Sequence, residues 1–150
     1  MNQQLDFKLP EIYRENTKAA VKSALEMYCF YLLTVPEDHL PKVTATFSLI
    51  PPAFSNQFHS STEQATINRV DQELAKKKHI ELVLRGVNRL NKMEREIIYK
   101  CYLEDEGVFD YELYNELGMS ERRYYRLKAR IFYKLAFILR IEVYKSEEHS

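Results

Sequence analysis

The chain has 150 residues and a formal net charge of zero, with 22 Lys and Arg against 22 Asp and Glu. This length allows one domain or two small ones. Because the molecule is not basic as a whole, affinity for nucleic acid would have to come from where its cations lie. Three Gly, five Pro and an apolar fraction of 45% favour an all-α protein over a turn-rich β protein.

The first 60 residues predict an N-terminal unit that is part helix and part irregular. An amphipathic helix is expected from Glu11 to about Val35, and Pro36 ends it. Four of the five prolines lie in residues 36–60, where the β-leaning piece 43–47 is too short to predict a strand. The unit could dimerise the protein, contact a polymerase or bind an antagonist, and the sequence does not choose among these roles.

Residues 61–150 predict a second unit, a helix-turn-helix domain with a long leading helix, whose compact part is expected over 76–145. Asn91 and Glu94 have the spacing of a capping box, and Asp110 is a plausible cap for a later helix. The predicted helices run from Ser61 or Thr62 to about Leu90, and near 92–104, 110–117 and 121–144.

A short turn separates the last two predicted helices. Gly118 can take the left-handed conformation that ends a helix, and Ser120 stands where the next helix needs an N-cap. After the turn, apolar residues recur at three- and four-residue spacing and can pack on Leu113, Leu117 and Met119. This stripe consists of Tyr124, Leu127, Ile131, Leu135 and Ile138. Two helices joined in this way are typical of a helix-turn-helix. Residues 132–144 are strongly apolar and predict the buried half of its second helix.

Charge is segregated across this turn. Residues 101–119 contain six acids and no Lys or Arg, whereas residues 120–145 contain eight bases and two acids. Five residues lie outside the apolar stripe, on the open side of the helix: Arg122, Arg123, Tyr125, Arg126 and Arg130. Arginine is the commonest reader of guanine edges and also binds phosphates. The pattern favours binding of double-stranded DNA over the alternative of a solvated basic helix. Lys76, Lys77 and Lys78 form a second basic group, which more simply indicates a charged face in water.

The sequence predicts no enzyme, no cofactor and no metal site. The four histidines are scattered without ligand spacing, and three separated glycines cannot form a phosphate loop. Cys29 and Cys101 have no ligand or disulfide pattern, so buried free thiols are expected. Polar residues 2–4 and Asp6 interrupt any signal peptide, and no apolar run is long enough for a membrane span. We therefore expect a cytoplasmic protein of a bacterial host.

A resemblance to a known family is carried by residues 90–98, 110–112, 114–122, 132–137 and 139–142. In these residues the chain resembles the ArpU-type regulators of Gram-positive phages and prophages. The resemblance covers most of the chain beyond about residue 55 and is strongest over residues 90–145. These regulators are similar in turn to region 4 of sigma factors. That pattern recurs here at Ser120, Arg122, Arg123, Lys134 and Leu135.

The resemblance implies a transcriptional regulator that switches on late phage genes alongside host RNA polymerase. Carried over by position, the sigma-like contacts fall on Arg122, Arg123, Tyr125 and Arg126. We predict that Arg122 and Arg126 contact base edges. Phosphate contacts are predicted for Arg123, Lys128 and Arg130.

Two tyrosines depart from the usual helix-turn-helix pattern. The pattern has a small residue where Tyr114 stands and a small aliphatic one where Tyr124 stands, so the helix pair is expected to dock differently from a standard sigma region. The alternative function is a protein-interaction adaptor or homodimerisation module, in which the eleven tyrosines and the N-terminal helix form the contact surface and the helix-turn-helix is structural.

Overall fold

The structure, a computed structural model, describes residues 13–51 and 63–145, with side chains in the second range described from Arg69 onward. These residues form five α-helices and one two-stranded antiparallel ribbon. In chain order they are α1 (Arg14–Leu33), β1 (Lys42–Val43), β2 (Leu49–Ile50), α2 (Glu63–Asn88), α3 (Lys92–Ile98), α4 (Asp110–Glu116) and α5 (Glu121–Leu139). The predicted all-α class is confirmed for this part of the chain, in which no helix is both long and apolar enough to cross a membrane.

Helix α1 begins where the chain meets its own C-terminal segment. The Tyr13 N–H donates to the Val143 carbonyl at 2.9 Å, and the Val143 N–H donates to the Thr17 hydroxyl at 3.0 Å. The predicted helix near 11–35 is confirmed with narrower bounds, and residues 11 and 12 lie outside the described ranges. These bonds fix the start of α1 beside the residues that follow α5.

The ribbon between α1 and α2 is fastened by a side chain of α2. β1 and β2 pair with Val43 opposite Leu49. The Asn88 amide donates to the Leu49 carbonyl and accepts from the Leu49 N–H, both at 2.8 Å. Arg95 adds two hydrogen bonds to the Thr46 carbonyl. A segment without helical pattern is thus held by polar side chains from the helices that follow it.

The predicted capping box at the start of α3 is confirmed. The Asn91 side chain accepts from the Glu94 N–H at 2.9 Å, and Glu94 Oε1 accepts from the Asn91 N–H at 3.0 Å. Glu94 is 2% exposed, and its Oε2 accepts from Lys134 of α5 at 2.7 Å. The same carboxylate therefore caps α3 and joins it to α5. After α3 the chain continues as a π-helical turn, Tyr99–Leu103.

All five helices contribute to one hydrophobic core. From α1 it takes Val21, Leu25 and Tyr28, and from α5 it takes Tyr124, Ile131, Phe132, Leu135 and Ala136. The N-terminal helix thus packs directly against the helices of the second predicted unit. The division into residues 1–60 and 61–150 stays a prediction about how the chain folds.

The prediction that the last helix runs to residue 144 is wrong. Helix α5 ends at Leu139, and Arg140 takes a left-handed conformation with φ 57°. The Ile141 N–H then donates back to the Ala136 carbonyl at 2.9 Å, as in a Schellman end. The apolar residues after Arg140 leave the helix because the backbone of Val143 pairs with the start of α1.

Candidate nucleic-acid interface

Helices α4 and α5 are joined by a four-residue turn with a regular helix stop. Gly118 has φ +67°, as the sequence predicted. Its N–H donates to the Asn115 carbonyl at 3.2 Å, and the Met119 N–H donates to the Tyr114 carbonyl at 2.9 Å. This pair of bonds is a Schellman motif, which satisfies carbonyls that the end of α4 would leave free.

The next helix starts with the predicted cap. Ser120 is extended, with ψ 151°, and its hydroxyl accepts from the Arg123 N–H at 3.2 Å. Leu113 on α4 and Met119 in the turn are buried in the core beneath. The direction in which α5 leaves the turn is therefore fixed by backbone bonds, by the cap and by packing.

Asp110 does not cap α4 as predicted. Phe109 is the N-cap residue, and Asp110 is the first residue inside the helix. Its Oδ1 instead accepts from the Tyr124 hydroxyl at 2.6 Å and from Lys128 Nζ at 2.8 Å, both on α5. Burial raises the pKa of Asp110, but the bonds from Lys128 and Tyr124 outweigh it and hold the pKa below its usual value. The carboxylate ties α4 to α5.

The two unusual tyrosines pack together between these helices. The Tyr114 and Tyr124 ring centroids are 5.7 Å apart, and Tyr124 is fully buried with its hydroxyl on Asp110. The Cys101 thiol lies 3.4 Å from the same hydroxyl. Cys101 and Cys29 are free, as predicted, but half-buried rather than buried. Burial raises the pKa of both thiols.

Four of the predicted DNA-contacting residues form one exposed face of α5. Arg122, Arg126 and Arg130 follow each other at four-residue spacing and lie in one row along the helix. Arg123 stands beside this row, and all four side chains are exposed. In the described ranges, no side-chain hydrogen bond or ion pair engages their guanidinium groups. The buried residues Tyr124, Ile131 and Leu135 lie on the opposite side of the helix.

Lys128 is placed differently from these arginines. Its side chain is only 11% exposed, its ammonium is paired with Asp110, and it lies 5.0 Å from the Tyr102 ring centroid. Burial lowers its pKa, but the bonds to Asp110 and Tyr102 raise it above its usual value. Lys128 is therefore not expected to contact a phosphate, because its charge is already neutralised by Asp110.

A second basic row, missed from the sequence, lies on α1. Arg14, Lys18 and Lys22 are exposed and stand at four-residue spacing, which is the sequence signal that could have revealed them. They line a cleft of about 330 Å³ between α1 and α5, and the predicted site residue Tyr125 lines its other wall. The basic surface of the molecule therefore extends beyond α5.

Comparison with known proteins places the chain among proteins of phage origin. It is 34% identical to the uncharacterized phage-related protein Lin1259/Lin1739 of Listeria innocua over 139 residues, which are 93% of this chain and 97% of that protein. It is 29% identical to Protein Gp66 of Listeria phage A118 over 140 residues, 91% and 96% of the two chains. No family model matches the chain. No solved structure matches it.

The chain is therefore a phage-related protein with a mainly helical fold. It belongs to the family of Lin1259/Lin1739, with which it aligns over nearly its whole length.

Proposed function

We propose that this protein is a sequence-specific DNA-binding transcriptional regulator that inserts the first turns of α5 into the major groove. The observation that carries the proposal is the exposed face of Arg122, Arg123, Arg126 and Arg130 directly after a capped turn. Cations that make no ion pair with the described residues are available to a polyanion, and an α-helix fits the major groove of B-DNA.

The residues keep the roles that the sequence suggested, with Lys128 left out. Arg122 and Arg126 read base edges, since a guanidinium can pair bidentately with guanine. Arg123 and Arg130 contact phosphates and set the register of the helix. Helix α4 has three carboxylates that would oppose the approach of DNA. Asp110 is paired with Lys128, Glu116 accepts a hydrogen bond from Lys100 at 2.9 Å, and Glu112 accepts from the Phe109 N–H at 3.4 Å.

The phage origin of the relatives and the ArpU-type resemblance support the biological role that we propose. In the proposal the protein activates late genes of the phage or prophage that encodes it, including packaging, structural and lysis genes, and acts with host RNA polymerase. A homodimer would protect two half-sites one or two helical turns apart, whereas a sigma-like monomer would protect one asymmetric site. A footprint on promoter DNA distinguishes these two forms by its length and symmetry.

The proposal is tested by removing two arginines from the exposed face of α5. Binding of purified protein is measured against duplex fragments tiled across the phage or prophage DNA, at moderate salt. Wild type is expected to select a fragment, and Arg122→Ala with Arg126→Ala is expected to abolish the selection, because each base contact gives about 1–3 kcal/mol of discrimination.

The matched control removes two exposed arginines elsewhere. Arg85 and Arg89 lie near the end of α2, and Arg85→Ala with Arg89→Ala is expected to leave the selection intact. Unchanged binding by the α5 variant would refute the proposed recognition helix.

A second candidate function, the adaptor or dimerisation module, is favoured by an apolar surface on α1. Met27, Phe30 and Leu33 are exposed there, Leu33 to 78%. In that case the turn and cap serve only to build the fold, and α1 carries the contact. The adaptor function is ruled out as the main role if the isolated protein binds a tiled fragment specifically with no partner present.

A further inference from the structure

The basic row on α1 consists of side chains that are held near α5 but remain exposed to solvent. Arg14, Lys18 and Lys22 make no hydrogen bond or ion pair within the described part of the chain. Lys18 Nζ lies 6.0 Å from the ring centroid of Phe132, a buried residue of α5. The row is thus fixed relative to α5 through the core, while its charges face outward.

Helix α1 runs antiparallel to α5. Its start pairs with Val143 beyond the end of α5, Lys18 lies over Phe132, and Lys22 lines the same cleft as Tyr125 near the start of α5. Tyr133 and Ala129 also line the cleft on the α5 side. Residues 125, 129 and 133 form the row of α5 next to its arginine row. The two basic rows therefore lie on either side of one cleft.

The charge of the cleft favours an anion. Its lining contains four cations, the row on α1 together with Lys128, against the carboxylates of Glu15 and Asp110. Asp110 is already compensated by Lys128 and by the Tyr124 hydroxyl. Glu15 remains, next to an exposed row of three cations. With the arginine face of α5 next to its other wall, the cleft lies between two exposed rows of cations on a chain of zero net charge.

We propose that Arg14, Lys18 and Lys22 bind the phosphates of the DNA strand that borders the groove entered by α5. The inference rests on the proposed function and adds a second contact surface to it. The major groove is about 12 Å wide, and a helix with its side chains is about 10–12 Å across. A helix packed beside the one in the groove therefore lies over the bordering backbone, where a row of cations binds phosphates without reading sequence.

The test compares the salt dependence of binding for four proteins. These are wild type, Lys18→Gln with Lys22→Gln, Lys18→Arg with Lys22→Arg, and Lys42→Gln with Lys92→Gln. The last variant removes two exposed lysines that do not line the cleft. The probes are the fragment selected by wild type and a 30-base-pair duplex of random sequence, and thermal unfolding followed by circular dichroism verifies that each variant is folded.

Removing Lys18 and Lys22 is expected to lower the slope of log K against log salt by about 1.8, since each phosphate contact contributes about 0.9. Raising the salt from 50 to 200 mM should therefore weaken binding by this variant about 12-fold less than it weakens binding by wild type. The difference should be the same on both probes. The charge-preserving variant, Lys18→Arg with Lys22→Arg, should keep the wild-type slope. The control, Lys42→Gln with Lys92→Gln, should keep it as well.

The outcomes separate this inference from the proposed function. If the α5 arginine variant loses selection while the Lys18 and Lys22 variant keeps the wild-type slope, the contact by α1 is refuted and the role of α5 stands. If removing Lys18 and Lys22 lowers the slope while the variant Arg122→Ala with Arg126→Ala keeps the wild-type selection, the phosphate contact by α1 is supported and recognition by α5 is refuted. If wild type binds neither probe, both are refuted.

Discussion

Asp110 is the residue that most directly sets how the two helices of the candidate interface meet. One carboxylate oxygen accepts from Tyr124 and Lys128, and these are the contacts that keep Lys128 out of solvent. Tyr124 in turn packs against Tyr114 of α4. Tyr124 is thus accommodated in the core because its hydroxyl donates to Asp110, and a buried hydroxyl needs an acceptor.

Replacing Asp110 with Asn tests this role. Asn keeps an acceptor for Tyr124 but removes the charge that pairs with Lys128, so a loss of about 1–2 kcal/mol in the free energy of unfolding is expected near neutral pH. Because the pKa of Asp110 is below its ordinary value in the folded state, its contribution is full above the unfolded pKa and is lost as pH falls through the folded pKa. Urea unfolding of both proteins at pH 7 and near pH 3 measures the difference.

Asp105→Asn is the matched control, since Asp105 is exposed before α4. It should change the free energy of unfolding little at either pH. An Asp110→Asn loss that is the same at both pH values would show that the charge of Asp110 does not provide the stability.

The turn between α4 and α5 is the element that sequence reasoning predicted best. Glycine at the left-handed position and serine at the N-cap are local requirements of the backbone, so they can be recognised without knowing the rest of the fold. The capping box of α3 is predictable for the same reason. The exposed arginine face also follows from sequence spacing alone.

Replacing Gly118 with Ala is expected to destabilise this turn by about 1 kcal/mol, because a Cβ is unfavourable at φ +67°. An added Cβ would meet no neighbouring residue within 4 Å, so the cost comes from the local backbone conformation and not from a clash with the surrounding structure. Gly118→Asn should cost less, since Asn tolerates the left-handed region. Urea unfolding measures both variants, and an Ala variant as stable as wild type would contradict the account of the helix stop.

The contacts that sequence reasoning missed are all between elements distant in the chain. Asn88 holds Leu49, and Lys134 reaches Glu94. Asp110 was predicted to cap α4 because it stands near the start of that helix. Two side chains of α5, Tyr124 and Lys128, donate to its carboxylate instead. The end of α5 was missed likewise, since Val143 finds its partners on α1. None of these pairings leaves a periodic or local signal in the sequence.

At the scale of the whole molecule, α1 brings the second basic row beside the first. Core side chains on the opposite face of each helix position both rows. These are Val21 and Leu25 on α1, and Ile131 and Leu135 on α5. The two rows lie beside each other only while these helices are packed together. The shared core therefore links the stability of α1 to the proposed binding of DNA.

The shared core also predicts how the chain unfolds. Leu25 is 0% exposed, and Leu25→Ala is expected to lower the free energy of unfolding by about 2–5 kcal/mol through lost burial and a cavity. Leu33→Ala on the same helix is the control, since Leu33 is 78% exposed and a surface change is usually within about 0.5 kcal/mol.

If α1 and the later helices form one cooperative unit, circular dichroism and tyrosine fluorescence will report a single coincident transition, shifted as a whole by Leu25→Ala. Two transitions, of which Leu25→Ala moves only one, would instead support the division at residue 60 and would contradict cooperative folding around this core.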